Sequence, residues 1–123
     1  MTLSIVTVNY RSWDHLEAAL LELQKGFPDE WQMIVVDNES DAVPFDEYKA
    51  RFPWVTFIAN PLNSGFGAGC NIGVRVATGT QLLFMNPDVI ASVPSIRALI
   101  DIKAQHKIGI VAPGQVTSGG KRQ

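Results

Sequence analysis

A short, oxygen-rich turn follows an apolar segment in the second half of the chain. Asn86-Pro87-Asp88 comes directly after the run Leu82-Leu83-Phe84-Met85, and Gly79-Thr80 precedes that run. The pattern predicts a buried strand that ends in a polar turn at the edge of a sheet. Ligands of open α/β sheets bind at the carboxyl ends of strands, and carboxylate and carboxamide oxygens suit a divalent cation. An ordinary Asx-Pro turn explains the same tripeptide.

Polar residues also follow three other apolar runs. These segments are Asn9-Tyr10-Arg11, Asp37-Asn38 and Asn60 to Asn63. Because the carboxyl ends of parallel strands meet at one edge of a sheet, we expect the four segments to converge there. Asp37 would accept hydrogen bonds from a base or a ribose, or else form an Asx turn after its strand. Tyr10 and Trp13 would stack on a nucleobase, or else anchor the first helix.

A glycine-rich segment, Asn63-Ser64-Gly65-Phe66-Gly67-Ala68-Gly69, precedes a helical pattern. Backbone N–H groups at the start of such a helix are able to surround a phosphate. The segment is not a dinucleotide fingerprint, because Cys70 stands where the third glycine belongs and the turn follows the third strand. The alternative is a tight turn with close helix–sheet packing at Gly69 and Gly73.

Four other reactive side chains have ordinary structural interpretations. Arg75 is expected to be a solvated helix residue, and His15 and His106 lie on helix surfaces with no partner at metal-binding spacing. Cys70 lies near a helix start, where a thiol pKa is often depressed, but packing is the favoured role.

The composition describes one compact domain of 123 residues with a net charge of −2 and a pI of about 5.6. This charge provides no general field for nucleic acid. The single cysteine, Cys70, fits a reducing compartment. No apolar run approaches the roughly 20 residues of a membrane span. Because no charged region precedes Leu3, we expect a first strand there and not a secretory signal.

Strand and helix signals alternate along the chain. Strands are predicted at residues 3–8, 33–36, 54–58, 81–85 and 108–111. Helices are predicted after Ser12 (with Leu16, Ala19, Leu20 and Leu23 on one face), at 45–51, from the glycine-rich turn to Gly79, and from Pro94. Nearly continuous apolar strands between helices predict a mostly parallel sheet covered on both faces, in a Rossmann-like three-layer α/β sandwich. We expect one domain over residues 1–113 and a loose segment over 114–123.

Several motifs occur together in a fixed order. They are Val8-Asn9-Tyr10, Val35-Val36-Asp37-Asn38-x-Ser40, Asn63 to Gly73, Ala77-Thr78-Gly79 and Leu83-Phe84-Met85-Asn86-Pro87-Asp88. This set resembles the nucleotide-sugar-binding half of family 2 glycosyltransferases, particularly the rhamnosyltransferase-like branch. The resemblance extends from Leu3 to about Pro113 and implies the N-terminal part of a glycosyltransferase A-type fold.

The resemblance implies a set of site residues. In such enzymes Asp37 would contact the base or ribose, and Asp88 would bind Mg²⁺ or Mn²⁺ in place of the family's Asp-x-Asp motif. Asn86 would be a weaker, uncharged ligand than the first Asp of that motif. The residues implied in nucleotide-sugar binding are Val8, Asn9, Tyr10, Asp37, Asn38, Asn63, Gly65, Phe66, Gly67, Asn71 and Asn86.

The implied activity is inverting, hexosyltransferase-type transfer from a nucleoside-diphosphate sugar, dTDP-rhamnose or a UDP-sugar, to a glycan or lipid-linked acceptor. The resemblance implies a cytoplasmic location that extends to the inner face of the membrane, with peripheral membrane association of the full-length enzyme and homo-oligomerisation left open. Because the family's catalytic base lies in a C-terminal half, we expect no catalytic residue here and little transfer by these 123 residues.

Two other function classes remain. One is a catalytically inactive nucleotide-sugar-binding or regulatory module. The other is a different phosphate-binding α/β protein, such as a flavodoxin-like or receiver domain. A receiver needs clustered acidic residues after its first strand, where this chain has Asn9-Tyr10-Arg11.

Overall fold

A computed structural model describes residues 2–38, 42–60 and 65–106. The elements are β1 (Leu3–Asn9), α1 (Trp13–Leu23), β2 (Gln32–Asn38), α2 (Ala42–Arg51), β3 (Val55–Asn60), α3 (Phe66–Val76), β4 (Gln81–Met85) and α4 (Val93–His106). The predicted strand at 108–111, the segment 114–123 and Asn63 lie outside the described residues. The chain divides into two compact units, Met1–Ile90 and Ala91–Gln123, and our boundary at residue 113 stays a prediction.

The first unit contains a four-stranded parallel sheet in the order β3-β2-β1-β4. The register places Asn9 opposite Asp37 and Thr7 opposite Met85. Successive strands move outward from β1 to β3, and β4 then pairs on the other side of β1. The sheet therefore has a topological switch point between β1 and β4, where ligands of open α/β sheets bind.

The helices of the first unit lie on both faces of this sheet. Right-handed connections place α1 and α2 on one face and α3 on the other. Phe45 of α2 contacts Phe57 of β3 with ring centroids 6.1 Å apart. On α3, Gly69 and Gly73 lie against Val8 and Val6, which point to the opposite face from Phe57. The predicted three-layer α/β sandwich is confirmed.

The core is formed by the two central strands, which are buried along almost their whole length. Val6, Ile34 and Val36 make a cluster on the α3 face. On α1, the helical spacing correctly predicted the buried positions, which are Leu16, Ala19, Leu20 and Leu23. Full burial of each leucine contributes about 1.5–3 kcal/mol, so this face fixes α1 to the protein.

Side chains also tie α1 to α2. The Trp13 ring stacks on the Tyr48 ring, with centroids 4.8 Å apart. The Tyr48 hydroxyl donates to Glu17 Oε2 at 3.1 Å, and Arg51 donates to Glu17 Oε1. The hydrogen bond from Arg51 lowers the pKa of Glu17, whereas burial, assisted by Glu17, raises the pKa of Tyr48. Trp13 therefore anchors the first helix, which favours the structural interpretation of this residue, and base stacking by Trp13 stays untested.

Two local expectations need correction. Ser12 precedes α1 as predicted, but its hydroxyl donates to the Tyr10 carbonyl at 3.1 Å and does not cap the helix. Within the described part of the first unit, the sheet is not covered on both faces at β4, where Leu82 is 43% exposed and Phe84 is 47% exposed. The reason is that β4 is the edge strand of the described sheet, and α3 packs over β1 and β2.

Helix α4 belongs to the second unit and begins with a reciprocal serine cap. The Ser95 N–H donates to Ser92 Oγ at 3.2 Å, and the Ser92 N–H donates to Ser95 Oγ at 3.1 Å. Two N-terminal donors are thereby satisfied, and Pro94 occupies the first turn, where its missing N–H costs little. Among the described helices, none has the length and apolar character that crossing a bilayer requires.

Candidate functional site

The carboxyl edge of the sheet, which comprises the ends of β1 to β4 and the residues directly after them, brings the predicted polar segments together. Because all four strands are parallel, Asn9-Tyr10-Arg11, Asp37-Asn38, Asn60 and Asn86-Pro87-Asp88 lie at this edge. The predicted convergence is therefore confirmed for these residues.

Asn9 and Asp37 form a buried pair on the α1 and α2 face. Asn9 Nδ2 donates to Asp37 Oδ1 at 3.0 Å, and both residues are fully buried. Asn9 Oδ1 and Thr7 Oγ1 are buried without a hydrogen-bond partner in the part of the chain that the structure describes. The Asx-turn interpretation of Asp37 is wrong, because β2 continues through Asn38 and pairs with β1 and β3 there. A contact from Asp37 to a base or ribose stays a prediction.

The chain turns sharply after this pair. Arg11 has a left-handed backbone, with φ of 53°, which is uncommon for a residue other than glycine. Its guanidinium carbon lies 5.2 Å from the centroid of the Tyr10 ring. Tyr10 is 42% exposed, so its ring presents a flat apolar surface at the carboxyl edge, next to the topological switch point.

The glycine-rich turn places the N-terminus of α3 at the same edge. Gly65 occupies the N-cap position with φ of 91°, and Phe66 is 56% exposed. An added Cβ at Gly69 would lie 2.8 Å from Val8 Cγ1, so this glycine is required for packing, as one interpretation of the turn predicted. At Gly67, by contrast, no described atom lies within 4 Å of an added Cβ. As far as the described residues outside α3 are concerned, Gly67 thus leaves open space beside the first N–H groups of a helix, a position where anions bind in other proteins.

A chain of side-chain amides connects β3, β2 and this turn. Asn60 Nδ2 donates to Asn38 Oδ1 at 2.8 Å, and Asn38 Nδ2 donates to the Gly65 carbonyl at 3.1 Å. Asn38 is buried and lies on the α3 face, opposite to the face of Asp37. Asn71 is exposed on α3.

Asn86 and Asp88 lie in an exposed turn after β4. The Val89 N–H donates to the Asn86 carbonyl at 3.1 Å, which closes a β-turn with Pro87 at its second position. Within the described ranges no three His, Cys, Asp or Glu side chains group closely enough to hold a metal ion. A metal-binding role of Asp88 stays a prediction.

The remaining reactive residues keep their structural interpretations. Cys70 is partly buried, and this burial raises its thiol pKa, which makes the thiolate scarcer. Arg75 is exposed in the last turn of α3, and His15 is exposed on α1.

A second polar network, at the amino edge of the sheet, was missed by sequence reasoning. We define the amino edge by Ser4, Gln32, Thr78 and Gly79. Gln32 Oε1 accepts from Ser4 Oγ at 2.8 Å and from the Thr78 N–H at 2.9 Å, and the Gly79 N–H donates to Ser4 Oγ at 2.8 Å. The motif Ala77-Thr78-Gly79 contains two residues of this network, but a glycine after a helix is too common a feature to predict these hydrogen bonds.

Comparisons with known proteins agree with these features. The model of the family described as "Glycosyl transferase family 2" matches residues 4–123. A protein of Haemophilus influenzae named "Uncharacterized glycosyltransferase" is 33% identical over 86 residues, which are 70% of this chain and 29% of that protein. The chain therefore spans about 29% of the length of this curated relative.

Solved structures of TarS from S. aureus share the fold. The match to the crystal structure of TarS 1-349 has a TM-score of 0.66 and 18% sequence identity. It covers 94% of this chain and 39% of the TarS chain. The same fragment in complex with UDP-GlcNAc has a TM-score of 0.66 and 19% identity, with coverages of 92% and 37%. The glycosyltransferase A-type fold is confirmed, and together with the family match it shows that this chain belongs to glycosyl transferase family 2.

Proposed function

We propose that these 123 residues bind the nucleoside-diphosphate sugar donor of a glycosyltransferase at the carboxyl edge of the sheet. Membership of glycosyl transferase family 2 supports a transferase. TarS, which shares the fold, has been solved with UDP-GlcNAc and with UDP, and this supports a nucleotide-sugar ligand.

The observation that carries the proposal is the open space at Gly67. This glycine is required neither by a left-handed backbone nor by packing against the described residues, and it lies in the first turn of α3. A phosphate group there would approach the first N–H groups of α3, at the positive end of the helix dipole. The Tyr10 ring at the end of β1 would then offer its face to the base, beside the Asn9–Asp37 pair.

Asp88 is the residue that would hold a divalent cation. Its exposed turn at the end of β4 is consistent with Mg²⁺ or Mn²⁺ shared between the carboxylate and diphosphate oxygens. Such a cation supplies charge that stabilises the diphosphate as it leaves the sugar. The Asn86 carboxamide would be a weaker second ligand than a carboxylate.

Finer features of the activity belong to the same proposal. The donor would carry rhamnose on dTDP or a sugar on UDP, for hexosyl transfer with inversion to a glycan or lipid-linked acceptor in the cytoplasm. We assign no general base to the described residues, so the 123-residue chain would bind donor without efficient transfer. If the chain is part of a longer protein, a turnover assay of that protein separates this proposal from the inactive binding module, which would show no transfer.

Titration calorimetry with UDP and dTDP, each with and without Mn²⁺, tests the proposal. At least one nucleotide should bind, and more tightly with the cation, because the metal offsets repulsion between the diphosphate and the carboxylates. Asp88→Ala should remove the cation-dependent part and leave the unfolding free energy within about 0.5 kcal/mol, because the residue is exposed. Negligible binding of both nucleotides in every condition would refute the proposal.

A further inference from the structure

The amide chain from Asn60 through Asn38 to Gly65 links the end of the sheet to the start of α3. Asn38 Nδ2 lies 3.1 Å from the Gly65 carbonyl oxygen, and Asn38 Oδ1 lies 2.8 Å from Asn60 Nδ2. The same Gly65 oxygen accepts the Gly69 N–H at 3.1 Å, which is the first hydrogen bond of the helix. The Asn38 side chain therefore bonds to the carbonyl oxygen that accepts the first hydrogen bond of α3.

Chemistry fixes the orientation of the Asn38 amide. A backbone carbonyl oxygen accepts hydrogen bonds and cannot donate, so the amide must present its NH₂ group to Gly65. Its carbonyl oxygen then faces Asn60, which must donate. The side chain at position 38 thus needs one donor and one acceptor, pointing in different directions.

Asn38 is poorly placed to contact a ligand. It is buried, and both ends of its amide already bond within the protein. An added Cβ at Gly69 would lie 3.3 Å from Asn38 Nδ2, so α3 packs directly on the amide. Among the described residues no side chain caps the N-terminus of α3, and Gly65 has a left-handed backbone at the N-cap position.

We propose that Asn38 is a positioning residue, which holds the Gly65 carbonyl and thereby sets the N-terminus of α3 against the diphosphate of the donor. This inference rests on the proposed donor-binding function. It adds to that function, because Asn38 would act on donor binding indirectly, through the Gly65 carbonyl, and not by contacting the donor.

The variant Asn38→Asp tests the role through its pH profile. An ionised carboxylate only accepts hydrogen bonds, so it would lose the bond to Gly65 and face the carbonyl oxygen with like partial charge. We expect nucleoside-diphosphate affinity to fall about tenfold at pH 8, which corresponds to about 1.4 kcal/mol. A protonated carboxyl group has one donor and one acceptor. The ratio of wild-type to variant affinity should therefore approach one as the pH is lowered towards 5, because burial raises the pKa of the new group.

The matched control is Ser4→Ala at the amino edge. Ser4 is equally buried and bonds to Gln32 and to the Gly79 N–H, so its loss also removes buried hydrogen bonds. It should lower the unfolding free energy and leave nucleotide affinity unchanged at every pH. Asn60→Leu provides a second variant, because Asn60 is only half-buried; without its donor the Asn38 amide is less well held, and we expect about a threefold loss of affinity.

UDP or dTDP with Mn²⁺, whichever the wild-type chain binds, is the probe for calorimetry from pH 5 to 8. Unchanged affinity in both Asn38→Asp and Asn60→Leu would overturn the inference, as would an Asn38→Asp deficit that stays constant with pH. If Asn38→Asp does not fold, the Asn60→Leu affinity decides. Failure of the wild-type chain to bind either nucleotide would instead refute the proposed function itself.

Discussion

Both edges of the sheet carry polar residues, but the surroundings of these residues differ between the two edges. At the amino edge, Ser4, Gln32 and Thr78 bond to one another and to the backbone around Gly79. At the carboxyl edge, Tyr10, Asn86 and Asp88 are exposed, and a buried acceptor of Asn9 has no partner among the residues described. The described polar groups of the amino edge bond to one another, whereas the carboxyl edge has exposed polar groups that the donor we propose would contact.

The glycines show the same difference at the level of single atoms. An added Cβ at Gly79 would lie 2.6 Å from the Ser4 backbone nitrogen and 2.8 Å from the Leu3 carbonyl carbon. An added Cβ at Gly67 would meet no described atom within 4 Å. The contacts of an added Cβ thus distinguish Gly79, which packing requires, from Gly67, which no described contact requires. Both glycines belong to segments that resemble motifs of the family.

Gly79→Ala should give the largest effect on stability. Because the new methyl group would overlap backbone atoms of β1, which cannot move as a side chain can, we expect an unfolding free energy lower by about 1–3 kcal/mol. Nucleotide affinity of the folded fraction should not change. Chemical denaturation followed by calorimetry at 15 °C measures both; a loss of affinity without loss of stability would contradict the assignment of the amino edge as structural.

Gly67→Ala should give the opposite result. Alanine replaces glycine in a helix, which stabilises by up to about 1 kcal/mol, and here the methyl group meets no described neighbour. The same methyl group would occupy the space of the donor phosphates, so we expect about a tenfold lower affinity, equivalent to about 1.4 kcal/mol. Denaturation and titration of the same preparation test the pair of expectations. Unchanged affinity would show that the ligand does not approach Gly67.

Elements with strong local patterns were predictable from the sequence. The strand Gln81–Met85 has the predicted bounds, and the buried face of α1 follows the apolar spacing. The convergence of polar segments at the carboxyl edge was also predictable, because a parallel sheet allows no other arrangement of strand ends. These features depend on nearest neighbours in sequence or on topology alone.

Other features depend on partners that are distant in sequence. Asp37 and Asn38 extend β2 because Asn9, Ala59 and Asn60 pair with them across the sheet. Trp13 stacks on Tyr48, which is 35 positions away along the chain, and no local pattern specifies that contact. The hydrogen bonds of these side-chain amides have the same origin: Gln32 bonds to Ser4 and Thr78, and Asn38 bonds to Asn60 and Gly65, and all of these partners are distant in sequence.

Glu17→Gln should give the smallest effect. It tests a third polar site, the α1–α2 surface, which is distinct from both edges of the sheet. The hydrogen bond from Arg51 lowers the pKa of Glu17 below its usual 4.5. A group whose pKa is lowered by folding contributes stability above its unfolded pKa, and this contribution is lost as the pH falls through the folded value. The wild-type chain should therefore exceed the variant in unfolding free energy at pH 7, and the difference should shrink as the pH is lowered to 3.

Solvent screening keeps this difference small, because the pair of Glu17 and Arg51 is exposed. Glu22→Gln is the matched control, since it removes another α1 carboxylate, whose partner Lys25 is mostly exposed. Glu17, by contrast, also accepts a hydrogen bond from the Tyr48 hydroxyl. The control should lower the unfolding free energy at pH 7 less than Glu17→Gln does. Neither variant should alter nucleotide affinity, because the described hydrogen bonds of Glu17 join α1 to α2 and lie away from both edges of the sheet. Equal pH profiles for wild type and Glu17→Gln would show that Arg51 does not stabilise the carboxylate in solution.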